Sequence, residues 1–159
     1  MRLDIATEKG QMSLHDEQFV ANWFNGKPGC KYVQTPKDKP AKVDAILVKN
    51  GELIGLAETK CRYNLTLDQF RLKFCNEWLI TAEKVISGTR LADMLCVPLY
   101  GFLFLVDDDA LLYENLSMAR MRKETTQTQR TINGGMAMRE NFFIDMSNAK
   151  VLRGIKTDW

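Results

Sequence analysis

The stretch from Val43 to Cys61, VDAILVKNGELIGLAETKC, constrains the fold more than any other part of the chain. Two apolar, β-prone runs, Val43 to Val48 and Leu53 to Ala57, flank Asn50-Gly51, a strong short-range hairpin signal. Asp44 sits on the first run, and Glu58 and Lys60 follow the second. Charges inside apolar strands are costly unless paired or bound to a metal, so they need a reason. Residues two apart on a strand share a face, so Glu58 and Lys60 project together while Thr59 points away. Whether Asp44 joins them depends on the turn. With Asn50-Gly51 alone as a two-residue turn, Asp44 falls opposite Ala57 and its carboxylate lies on the wrong side. A three-residue loop of Lys49, Asn50 and Gly51 with Gly51 left-handed, or a bulge in either strand, puts Asp44 on the same face as Glu58 and Lys60. A hairpin other than the simple two-residue form is therefore predicted.

The elements around the hairpin follow from capping and periodicity. Ser13 with Asp16 and Glu17 reads as the start of a helix over about 13–25, with Phe19, Val20, Trp23 and Phe24 on its apolar side and Gly26 as its stop. A short strand is expected over Cys30 to Gln34, then a Pro-broken loop carrying Lys37, Lys39 and Lys42. After Lys60, Thr66 and Asp68 open a second helix with Leu67, Phe70 and Phe74 on its apolar side. Trp78 to Thr81 reads as a short strand on its β-prone residues, Ala82 to Cys96 as a helix, Gly101 to Val106 as a buried strand, and Ala110 to Asn115 as its antiparallel return. Asp107 to Asp109 form the polar turn between them. Residues 117–140 are polar, basic and glycine-punctuated without a clear period, which reads as an arm or long loop. Asn141 to Met146 is a last strand, and the tail to Trp159 is expected to dock.

Asp44, thirteen intervening residues, then Glu58-Thr59-Lys60 resembles the D…(D/E)xK signature of the PD-(D/E)xK nuclease superfamily. Val43 stands where the proline of that signature would be. The resemblance covers about residues 13–106, and compact phage-type and Holliday-junction-resolvase-like members look nearest. It implies an α/β fold of the restriction-endonuclease-like kind, an αβββαβ core whose mixed central sheet is flanked by helices. It further implies hydrolysis of DNA phosphodiesters with Mg²⁺, for which Mn²⁺ would substitute. Asp44 and Glu58 would hold the ion together with the Thr59 carbonyl, and Lys60 would orient or deprotonate the attacking water. Glu17 is a further ligand in some branches, its alternative being simple service to the helix dipole. Gln69 matches a polar position that touches phosphate or water in several branches, its alternative being a solvent-facing helix residue. Lys84, at a helix start beyond a strand, suits anion contact.

Composition fixes the remaining expectations. A chain of 159 residues, 45% of them hydrophobic, is read as one domain: a core over about 13–116, the arm over 117–140, and a strand and tail over 141–159. Neither a spanning segment nor a signal peptide is evident, so an intracellular protein is expected, in a bacterial or phage-infected cell. Cys30, Cys61, Cys75 and Cys96 show no CxxC spacing and His15 is the single histidine, which argues for reduced thiols and against structural zinc. Cys61 and Cys75 lie in or beside apolar patterns and read as packing residues. Residues 116–159 carry eight basic and four acidic side chains, whereas residues 64–115 carry four and eight. A phosphate-binding surface is therefore expected from the two ends, with Lys37, Lys39 and Lys42 on one side and Arg120, Arg122 and Arg130 on the other. The arm either clamps DNA or packs its methionines on a second copy of the chain. The alternative function is a catalytically silent DNA-binding or assembly subunit on the same fold. The residues do not separate DNA from RNA.

Overall fold

Asn50 and Gly51 take φ of 52° and 81°, closing a two-residue turn between β2 (Ala45–Lys49) and β3 (Glu52–Arg62). Two consecutive left-handed residues match the twist of the strands, which is why Asn-Gly occupies this position. Lys49 pairs with Glu52 and Val48 with Leu53, but Leu47 then pairs with Gly55, leaving Ile54 as the extra residue of a bulge. The bulge, rather than a three-residue loop, sets the register that continues through Ala45↔Ala57.

The computed structural model describes residues 8–129 and 136–156. Helix α1 (Glu8–Asn25) leads into β1 (Cys30–Gln34), β2 and β3. Then come α2 (Leu67–Lys73), β4 (Glu77–Thr81), α3 (Ala82–Met94), β5 (Leu99–Leu105) and β6 (Ala110–Asn115). The chain ends in β7 (Met121–Gln129), β8 (Met136–Asp145) and β9 (Lys150–Arg153). Six strands form one sheet in the order β1-β2-β3-β5-β6-β9, in which only β3 and β5 are parallel. The crossover between these two carries α2, β4 and α3, as a parallel pair requires. The molecule is thus a mixed α/β fold with a mixed central sheet flanked by helices.

Alternation along the strands divides the core between the two faces of the sheet. Ala57 and Cys61 of β3 and Phe102 and Phe104 of β5 pack with Val20, Ala21 and Phe24 of α1. Leu56, Leu99, Leu103 and Leu105 point the other way, toward Val85 and Ala92 of α3, Trp78 and Ile80 of β4, and Ile144 of β8. Gly101, opposite Glu58 in the parallel ladder, leaves room on this second face. An added Cβ would lie 2.7 Å from the Trp78 ring and 2.8 Å from Leu116.

Several expectations need correction. Helix α1 begins at Glu8, so Ser13 is not its N-cap and Glu17 sits well inside the helix, away from the first turn. Helix α2 stops at Lys73, which leaves Phe74 as its C-cap and 53% exposed rather than packed. Cys75 follows in the left-handed conformation and is exposed, so it is not a packing residue; all four cysteines are free. The segment read as an irregular arm contains β7 and the first half of β8; the two strands pair from Met121↔Ile144 to Gln129↔Met136 and join β4 in a second, three-stranded sheet. Its polar run, which includes the β-prone residues Thr125, Thr126 and Thr128, is ordered by that ladder, which apolar periodicity alone does not reveal. The expectations for Trp159 and Arg130 fall outside the described residues. The three aspartates accept backbone N–H groups: Asp107 from Asn64, Asp108 from Leu67, Asp109 from Lys156. No helix among the described residues is long and apolar enough to cross a membrane.

Candidate active site

The bulge at Ile54 brings Asp44, which immediately precedes β2, alongside β3 where β2 begins. The Asp44 N–H donates to the Ala57 carbonyl at 2.9 Å, and its Oδ2 accepts the Thr59 N–H at 2.8 Å. The carboxylate thus replaces the main-chain partner that β2 no longer supplies. Glu58 lies on the face covered by α3, 5% exposed, and its Oε1 is 3.3 Å from Lys84 Nζ. Lys60, exposed and two residues farther along β3, shares that face and electrostatically favours ionisation of Glu58. Burial first, and then the Asp44 charge, raise the Glu58 carboxyl to about 8 against the pull of Lys84 and Lys60.

The opposite face contributes through α1. Glu17 is buried, and its Oε1 accepts the Tyr32 hydroxyl at 2.7 Å; the same hydroxyl lies 2.8 Å from Thr59 Oγ1. With its proton directed to Glu17, the Tyr32 oxygen receives the Thr59 proton. Lys37 Nζ spans the gap, 3.6 Å from Glu17 Oε2, 3.8 Å from Asp44 Oδ1 and 3.1 Å from the Asp44 carbonyl. Burial and the Asp44 charge raise Glu17 above the usual carboxylate range, while Lys37 and Tyr32 draw it back. Burial likewise raises the Tyr32 hydroxyl well above its ordinary value, so it remains a hydrogen-bond donor. Among the described residues, no three Asp, Glu, His or Cys side chains converge closely enough to form a ready-made metal site.

Asp44, Glu58, Thr59 and Lys60 lie close together, with Glu17, Lys37 and Lys84 beside them. Glu17 owes its place to Tyr32 and Lys37 rather than to the helix dipole. Lys84 contacts Glu58, although its side chain remains 57% exposed. Gln69 is engaged elsewhere: its Oε1 accepts the Thr66 N–H and its own N–H donates to Thr66 Oγ1, the reciprocal cap that starts α2. Lys39, Lys42 and Arg120 are exposed. Arg122 forms two 2.9 Å hydrogen bonds to Glu77 and a contact with Glu124, and it stacks over Phe143, all of which tie β7 to its neighbours. Tyr32 and Thr59 Oγ1 were not singled out from the sequence. The signal available was alternation in CKYVQ, where Tyr32 is the central, inward-facing residue.

No curated protein matches the chain. Among solved structures, the fold is similar to that of Archaeoglobus fulgidus Hjc, a Holliday junction resolvase from an archaeal hyperthermophile. The two share 17% identity over 84% of this chain and 86% of that one, with a TM-score of 0.48. The family model described as "Phage putative PDDEXK endonuclease" matches residues 7–154, nearly the whole chain and all the residues gathered around Asp44 and Glu58. The chain belongs to this phage PD-(D/E)xK endonuclease family.

Proposed function

We propose that the protein cuts DNA phosphodiester bonds with a divalent cation, Mg²⁺ in the first instance, held by Asp44, Glu58 and the Thr59 carbonyl. The observation that carries this reading is the placement of Asp44, whose carboxylate accepts the Thr59 N–H and lies near enough to the buried Glu58 carboxyl to raise it, with Lys60 acting on the same group. The donor set fits the group. Carboxylate and carbonyl oxygens are the ligands that Mg²⁺ prefers, and a divalent charge would offset the burial that raises Glu58. A strand residue directs its N–H and C=O to the same side. The Thr59 N–H already bonds Asp44, so the Thr59 carbonyl is directed toward the same edge. When bound, the cation polarises the phosphate and lowers the pKa of a coordinated water.

The chain's own groups do the rest. Lys60 orients or deprotonates the attacking water and balances charge building on the phosphate. Lys37 and Lys84 hold the carboxylates of Glu17, Asp44 and Glu58 against mutual repulsion. Tyr32 fixes the Glu17 rotamer, so that Glu17 acts as a positioning residue behind Asp44. On this reading the enzyme is structure-selective or weakly sequence-specific. The test is cleavage of linear duplex, single-stranded, flap and four-way-junction DNA with Mg²⁺, Mn²⁺ or EDTA, comparing wild type with Lys60→Ala. Metal-dependent cutting by wild type alone is expected. Equal binding without cutting by both proteins would instead make the chain a silent DNA-binding subunit.

A further inference from the structure

Past Lys60, β3 continues to Arg62, on the same face and about 6.6 Å farther along the strand. Arg62 is half-buried. Among the described residues its guanidinium makes one long hydrogen bond, Nη2 to the Leu79 carbonyl at 3.4 Å, and has no carboxylate in salt-bridge range. A fork of five donors with a single distant acceptor is an expensive way to hold a charge away from water. Burial accordingly lowers its pKa.

Arg62 lines a cavity of about 680 Å³, well within the range of small-molecule sites. Lys73 supplies a second cation, and Phe74, Phe143, Trp78 and Leu79 supply apolar wall. Phe74 is the C-cap of a short helix, and its ring is 53% exposed on the cavity wall. The one acid on the wall, Glu77, is already taken by Arg122. The cavity therefore presents cations and aromatic surface without a free counter-charge.

We propose that this cavity receives one unpaired nucleotide of the DNA next to the phosphate being cut, its base against Phe74 and Phe143 and its phosphate on Arg62. The position relative to the cut rests on the reading of Lys60 given above. Three features select a nucleotide over another ligand. The cavity demands an anion and a planar apolar body together, and aromatic walls stack bases without regard to sequence. Arg62 follows Lys60 on one face at a separation suited to the next phosphate of an extended strand. The cavity also adjoins the catalytic strand itself. The preferred substrate is then DNA with a nucleotide that is unpaired or cheaply unstacked beside the cut, because extrusion from an intact duplex costs unpairing energy.

The test is equilibrium binding in EDTA, by anisotropy, to a duplex with a single-nucleotide bulge and to the same duplex fully paired. Wild type is compared with Arg62→Met, which removes the unpartnered charge at similar volume, and with Leu79→Trp, which fills the cavity; circular dichroism checks each fold. Wild type is expected to favour the bulged duplex by about tenfold, in line with the worth of one stacked base. Both variants should lose that preference, and Leu79→Trp, which removes no charge, should bind the paired duplex within about twofold of wild type. Equal affinity of wild type for the two duplexes, binding of neither, or a preference surviving in both variants would overturn the proposal. Cleavage with Mg²⁺ is scored separately. Cutting without preference refutes the cavity and leaves the nuclease standing, whereas preference without cutting does the reverse.

Discussion

Glu58 makes a quantitative prediction about the metal-free protein. Its carboxyl titrates at about 8 in the folded chain against 4.5 as a free side chain, because burial and the neighbouring Asp44 penalise the charged form. A raised carboxyl binds its proton in the folded state over a range where the unfolded chain has already lost it. Stability therefore falls as pH rises through that window and levels off above the folded value. Integrated from pH 5 to pH 9, the loss is about 4 kcal/mol, a large share of the roughly 5–15 kcal/mol that holds a domain folded. Replacing the ionisable group by an amide in Glu58→Gln removes this slope. Lys84, its cation partner, is more than half exposed and stays hydrated, so its loss of a partner costs little. Urea denaturation in EDTA at several pH values measures the difference. The variant should match wild type near pH 5 and exceed it by several kcal/mol at pH 9. Parallel pH profiles for the two proteins, or a variant weaker at pH 9, would refute the account of Glu58 as a buried carboxylate under strain from Asp44.

Mg²⁺ should raise the melting temperature of wild type at pH 8, by the equivalent of about 2.7 kcal/mol at a concentration one hundred times its dissociation constant. The shift should vanish in Glu58→Gln and in Asp44→Asn, as read by differential scanning fluorimetry. Tyr32→Phe removes the donor to the buried Glu17 and the acceptor for Thr59. It should cost about 1–3 kcal/mol in urea denaturation and lower kcat without weakening DNA binding. Gly101→Ala forces a methyl group against Trp78 and Leu116 and should destabilise by about 1–3 kcal/mol, again by urea denaturation.

The candidate site was legible because its geometry follows from counting. Thirteen residues between Asp44 and Glu58 cannot put both side chains on one face through a plain Asn-Gly turn, so some irregularity was required of the hairpin. Counting does not say which irregularity. The choice of a bulge at Ile54 belongs to the tertiary structure. Gly55 follows at once, and its missing side chain admits the Tyr100 ring of β5, from which an added Cβ would stand 2.8 Å. The stretch over 117–140 was illegible for a different reason. Strand β7 and the first half of β8 are mostly polar and charged and are ordered by pairing with each other, contacts that leave little apolar period behind. Glu17 shows the same limit on the smallest scale. Its helix was evident from local signals, yet its role near Asp44 depends on Tyr32 from β1 and Lys37 from a Pro-broken loop. Local pattern determines which residues share an element, while partners of a buried charge are chosen by elements that meet only after folding. A buried acid on an otherwise unremarkable helix face is therefore the place to look for a distant hydroxyl or cation.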